Sequence, residues 1–397
     1  MRKFISNQLN KNDNLLRHSL FILVAAFIVN ILNYAFQLYM GRVLGPAEYG
    51  VLGALFSIYY TLNVPSGTIQ TVITKFVSEF KANNEYGKIR TLFSLAFRKI
   101  SFYGLMFCIV FILISKYISS FLKISLAPVI AIGILLFLAF IYPVFNGTLM
   151  GLQKFKWLGI SGIIWSSLKL GIGILLVYLG FGVFGAISAL SFATIIAILI
   201  VLIPLWFLFK VKKESFNHID IFKYSFFVLI GTISMMLITN IDMILVKHFF
   251  PALEAGYYAA ASMLAKIPWF ASSALLMVMF PKISDRHNKS MDSSSILKST
   301  LFYTFLISFM VVLVYFIAPT FVSGLLYGSE YKISGLIGYF SLGLGFFALN
   351  NVLMLYNFAV NKIKFVYLIV FFAVLETVLI SLFHSTLLEV IKIVSVV

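Results

Sequence analysis

Charge is scarce in this 397-residue chain: Asp, Glu, Lys and Arg together make up 11% of it, against roughly a quarter in an ordinary soluble domain. Too few charges are present to clothe a water-facing surface. Cysteine is nearly absent as well. Cys108 stands alone, which excludes an intramolecular disulfide and a thiolate metal centre. The five histidines, His18, His218, His248, His287 and His384, lack metal-ligand spacing. There is no phosphate-binding loop of the P-loop type, so ATP hydrolysis by that route is excluded. No Asp-x-Asp pair occurs, and the connections assigned below to the outer side are too short to hold a catalytic loop. No cofactor is expected, and the chain reads as a non-enzyme.

What the chain has instead is apolar length. Hydrophobic residues make up 61% and aromatics 17%, with a mean hydropathy of +1.04. A helix needs about 20 residues to cross a hydrocarbon core of ~30 Å. Such runs are expected at 18–40, 48–74, 99–120, 125–149, 156–179, 181–209, 219–248, 253–280, 297–324, 333–358 and 363–385, followed by a stub at 387–397 too short to cross. The basic N-terminus is followed by a run longer than a signal-peptide core, without a small-residue cleavage site, so it is expected to be a retained first helix.

The net charge of +17 follows the connections. Alternate connections carry 22 Lys and Arg on one side and only Arg42, Lys116, Lys123, Lys247 and Lys332 on the other. The positive-inside rule therefore places the N-terminus in the cytoplasm of a multi-pass protein of the cell membrane. The basic balance is an orientation signal, and no nucleic-acid partner is expected.

The two halves repeat. The segment 42–80, beginning RVLGPAEYG, parallels 247–286, beginning KHFFPALEAG, with Gly50 matching Gly256 at an offset of 206. QKFKW at 153–157 parallels NKIKF at 361–365 at an offset of 208. Six helices per repeat is an even number, so both halves face the same way, as in a parallel repeat. The expected fold class is an all-α integral membrane protein with two six-helix lobes, 1–212 and 213–397, around a central cavity. Extending the offset predicts a last helix near 389–417, so the second lobe is expected to carry a truncated last helix.

GRVLGPAEYG at 41–50, TVITKFVSEFKANNEYGKIR at 71–90 and TNIDMILVKHFFPALEAGYYAAA at 239–261 resemble the polysaccharide exporter and O-antigen flippase family. That family belongs to the multidrug/oligosaccharidyl-lipid/polysaccharide superfamily, whose lobed architecture is MATE-like. The resemblance implies alternating access, membrane lipids and an undecaprenyl-diphosphate-linked oligosaccharide as partners, and the polysaccharide polymerase machinery as a further one. Two rival readings are a cation-coupled multidrug antiporter of the same fold, which needs an acidic cavity, and a membrane-bound sugar or acyl transferase, which needs a catalytic carboxylate or histidine.

Charges deep in a membrane cost about 2.5 to 3.5 kcal/mol each on insertion scales, so they mark function by default. Lys169 lies midway along the fifth run, Lys266 midway along the eighth, Glu376 midway along the eleventh, and Asp242 in the outer third of the seventh. The two lysines are candidates to attract a diphosphate, since the Coulomb attraction grows as solvent is excluded. Glu376 and Asp242 are candidates for a coupling ion or for a salt bridge, and Lys169 and Glu376 occupy equivalent repeat positions. Asn30, Asn33, Tyr34 and Gln37 recur at helical spacing on one face, as do Asn63, Ser66, Gln70 and Thr74. The first set is assigned to a wet cavity wall. Arg42 at an outer helix end and Lys75 at an inner one complete the candidates, each with interfacial anchoring as the alternative.

Overall fold

The computed structural model describes residues 2–215, 233, 236–288, 291–360 and 366–396. Most of the expected seventh helix before residue 236, Lys223, Lys289 and the NKIKF turn at 361–365 with Lys362 and Lys364 lie outside the described residues.

The described residues form helices and connecting turns, with no strand among them. In order they are α1 Arg2–Leu62, α2 Val64–Ala82, α3 Tyr86–Leu122, α4 Leu126–Gly151, α5 Phe155–Leu176, α6 Gly182–Leu205, α7 Ile241–Phe249, α8 Ala252–Ala265, α9 Ile267–Asn288, α10 Ser294–Ile317, α11 Pro319–Tyr327, α12 Ser334–Ala359, α13 Val366–Leu382 and α14 Leu387–Val396. Among the described residues six stretches are long and apolar enough to cross a membrane, and the chain is a multi-pass membrane protein.

Six stretches hold more than six crossings. Val24–Ala82 runs for 59 residues, about 89 Å at 1.5 Å per residue, which is three times a hydrocarbon core. It is divided at Gly45, whose φ of 69° and ψ of 170° no helix tolerates. Phe155–Lys210 is likewise divided at a π turn, Val177–Phe181, where Gly180 and Gly182 both have positive φ. These breaks fall between the expected first and second runs and between the expected fifth and sixth.

Two expected runs are corrected. The run at 48–74 breaks at Asn63 and that at 253–280 breaks at Lys266, each two residues before a proline, Pro65 and Pro268. The proline ring clashes with the carbonyl four residues back, so a new helix begins with proline in its first turn, where no N–H is needed. The expected seventh helix is also interrupted, by a turn at Thr239 and Asn240 just before α7.

Two compact units result, Met1–Met40 with Leu62–Ile230, and Gly41–Thr61 with Gly231–Val397. In the first, α4 packs on α2, α3 and α6, around Ile73, Val77, Ile89, Val144 and Leu205. In the second, α12 packs on α8, α9, α10 and α14, with Leu276, Met279, Ile283 and Val352 among its core. The segment 41–61 belongs to this second unit through very close backbone packing. A Cβ on Gly50 would lie 2.6 Å from the Gly256 nitrogen, and one on Gly256 would overlap the Pro46 carbonyl. The two glycines matched by the repeat thus touch each other. Large apolar side chains left bare along α3 and α10, among them Leu113, Tyr117, Phe302 and Phe309, suit a lipid environment.

Candidate functional site

In the second unit, both helix breaks serve one cluster. The turn at Thr239 leaves its carbonyl outside a regular helix, and the Lys266 ammonium, sitting at the α8–α9 break, donates to that carbonyl at 3.0 Å. Asp242 follows in the first turn of α7, where the helix dipole favours a carboxylate. Tyr258 of α8 donates its hydroxyl to Asp242 Oδ2 at 2.7 Å. Glu376 of α13 lies within electrostatic reach of both Lys266 and Asp242. Asp242 is 2% exposed and Glu376 1%, whereas Lys266 is partly accessible. Asp242 Oδ1 and Glu376 Oε1 are buried without a hydrogen-bond partner. One ammonium thus lies within electrostatic reach of two carboxyl groups, each with an open acceptor.

The first unit holds the other deep lysine. Lys169 on α5 is 6% exposed and donates to Asn33 Oδ1 on α1. Its ammonium lies 4.7 Å from the Phe36 ring centroid and 5.1 Å from that of Trp165. Trp165 is itself fixed by donating its indole N–H to Thr194 Oγ1 at 3.0 Å. Among the described residues no carboxylate pairs with Lys169. Cation–π contacts return about 0.5 to 2 kcal/mol each, while the effective penalty for removing an ion from water is several kcal/mol. The positive charge is therefore held in place but not neutralised.

The polar stripe of α1 is divided in use. Asn33 receives Lys169, Asn30 is exposed, Gln37 is half-buried, and the Tyr34 hydroxyl is buried without a hydrogen-bond partner. On the second stripe, Ser66 donates to Asn63 Oδ1 and to the Ala139 carbonyl, so that part of the face joins helices. Arg42 donates to the carbonyls of Leu325 and Leu326, capping the end of α11. Lys75 is exposed, 5.6 Å from the Phe76 ring centroid.

Several participants carried no signal in the sequence. Tyr258 is one tyrosine among twenty, and a ring cluster of Tyr49, Tyr257, Tyr327 and Tyr331 gathers beside Arg42 from distant segments. The helix breaks were marked by Pro65 and Pro268, since a proline inside a helical pattern ends or kinks it at the preceding residue. Among the described residues no group of three His, Cys, Asp or Glu side chains could hold a metal.

Comparison with known proteins agrees with this architecture. An uncharacterised membrane protein of Methanocaldococcus jannaschii is 24% identical over 305 residues, 73% of this chain and 72% of that one. Among solved structures, an inward-facing multidrug resistance MATE family transporter of the MOP superfamily superposes with a TM-score of 0.76 at 13% identity, over 94% of both chains. The lipid II flippase MurJ, in an inward closed conformation, gives 0.74 at 15% identity over 95% of this chain and 84% of its own. The fold is thus that of the MOP superfamily. With residues 15–287 matching the family described as Polysaccharide biosynthesis protein, the chain belongs to that family.

Proposed function

We propose that the chain is a flippase that carries an undecaprenyl-diphosphate-linked oligosaccharide across the cytoplasmic membrane for surface polysaccharide assembly, by alternating access of two lobes, 1–212 and 213–397. The observation that carries this reading is the Lys169 ammonium, buried yet, among the described residues, paired only with an amide and two aromatic rings. Such a cation is poised to take a dianionic headgroup that must leave water. Lys266, the accessible member of its cluster, is the second diphosphate contact. Asn30, Asn33, Tyr34 and Gln37 offer hydrogen bonds to sugar hydroxyls, and Arg42 and Lys75 lie at opposite helix ends. Asp242 and Glu376, with two open acceptors beside one ammonium, exchange the coupling ion. The N-terminus is cytoplasmic, and the polymerase machinery receives the product.

The multidrug antiporter reading is disfavoured by the uncompensated Lys169, which repels cationic drugs. The test is reconstitution of the purified chain in vesicles with a fluorescent undecaprenyl-diphosphate oligosaccharide, monitored by a membrane-impermeant quencher. Quenching of the inner-leaflet pool is expected with the wild-type chain and not with empty vesicles. Equal rates in both would remove the assignment.

A further inference from the structure

A second group of cations lies at the other end of α5, in the turn Leu152–Lys154 that joins α4 to α5. Lys169 is fifteen residues further along, about 22 Å by helical rise. Three lysines converge on this turn. Lys81, in the last turn of α2, donates to the Leu152 carbonyl and to Gln153 Oε1, both at 2.9 Å. Lys154 donates to the Pro204 carbonyl at 2.5 Å and lies 4.2 Å from the Phe207 ring centroid. Lys156 is exposed. None of the three meets a carboxylate among the described residues. Burial and the nearby Lys81 charge push the Lys154 ammonium below its usual range, the mark of a cation short of counter-charge.

Lys154 and Lys156 border an open groove of about 320 Å³ lined also by Gln153, Phe155, Trp157 and Pro204. That is the low end of ligand-pocket sizes, suited to a headgroup rather than a whole lipid. The turn separates two membrane-spanning stretches, Leu126–Gly151 and Phe155–Lys210, so it lies where a crossing ends. Trp157 belongs at such a level, because tryptophan favours the interface. Ile160 and Trp206 beside it are bare apolar surface, on which acyl chains can lie.

We propose that this turn is a phosphate-binding site occupied by the headgroup of an anionic phospholipid. Inside-facing basic pockets between membrane helices hold such headgroups, and each lysine near the surface contributes enough to change binding about fivefold. The phosphate accepts from Lys154 and Lys156, while Lys81 fixes the turn and adds its charge. Free phosphate offers the same chemistry but leaves the neighbouring apolar surface bare. The proposal does not rest on the flippase reading, and failure of the vesicle assay above would leave it standing.

The test uses the full chain in nanodiscs of phosphatidylcholine alone or with one quarter phosphatidylglycerol, followed by thermal unfolding and by lipid retention in native mass spectrometry. Lys156→Gln, at an exposed side chain with no hydrogen bond or ion pair among the described residues, is expected to match the wild-type melting point in phosphatidylcholine. It should retain phosphatidylglycerol about fivefold less, and K154Q/K156Q about 25-fold less. Wild-type retention in both variants would overturn the site. An equal melting shift from inorganic phosphate added to phosphatidylcholine discs would overturn the lipid assignment. A lack of any shift with phosphatidylglycerol would overturn both.

Discussion

Replacing Lys266 with methionine removes the cation within electrostatic reach of two carboxyl groups that are 2% and 1% exposed, Asp242 and Glu376. Methionine matches the lysine stem in length, so packing is nearly conserved and the change is chiefly in charge. The substitution also withdraws the donor from the Thr239 carbonyl, and leaving a buried acceptor unsatisfied costs about 1 to 3 kcal/mol. Each carboxyl already has an oxygen without a hydrogen-bond partner, so neither can recover its loss locally. Lys266→Met is therefore expected to destabilise the chain by about that amount. Adding Glu376→Gln to it should restore part of the loss, with a coupling of about 1 to 3 kcal/mol between the two sites. Equilibrium unfolding of detergent-solubilised protein by sodium dodecyl sulfate, read through tryptophan fluorescence, measures all four corners of the cycle. Trp269 lies three residues from Lys266 and packs edge-on against Phe347 at 5.6 Å, so it reports on the site. Strict additivity of the two substitutions, or a loss below about 1 kcal/mol for Lys266→Met, would refute the electrostatic coupling. The cycle also guards the functional reading, since loss of flipping in the restored double variant cannot be ascribed to unfolding.

Three further outcomes follow from particular contacts. Lys169→Met is expected to leave stability unchanged or raise it, because an apolar side chain suits a pocket of Phe36 and Trp165, while flipping in reconstituted vesicles falls at least tenfold; unchanged flipping would remove Lys169 from the transport path. Gly256→Val drives side-chain atoms into the Pro46 backbone, which cannot swing aside, and is expected to cost about 3 kcal/mol or more and to reduce the folded yield in size-exclusion chromatography. Arg42→Gln abandons two carbonyls at the end of α11 and is expected to cost about 1 to 3 kcal/mol in the same unfolding assay, while vesicle flipping per folded molecule separates that capping role from a transport role.

Legibility varied with the range of the interaction. The breaks at Gly45 and between α5 and α6 were expected because polar or glycine-containing segments divide apolar runs whose length the bilayer sets. The internal breaks at Asn63 and Lys266 were passed over, although Pro65 and Pro268 marked them, since membrane helices also carry proline without breaking. Lys169, Lys266, Asp242 and Glu376 stood out one by one as costly charges in apolar runs. Their actual partners did not: Lys169 and Glu376 were matched by repeat position, yet Lys169 rests on Asn33, Phe36 and Trp165.

Membrane residence, the approximate crossings and the positions of the deep charges were determined by the sequence alone, because the bilayer acts on each segment through its own apolar length and charge. Whether a deep charge is neutralised was decided only by the tertiary structure. Lys266 comes within electrostatic reach of Glu376 across 110 residues of chain, through helix breaks whose angles and depths no local pattern encodes. Electrostatic energy depends on distance in space and on burial, and both exist only once the helices have packed.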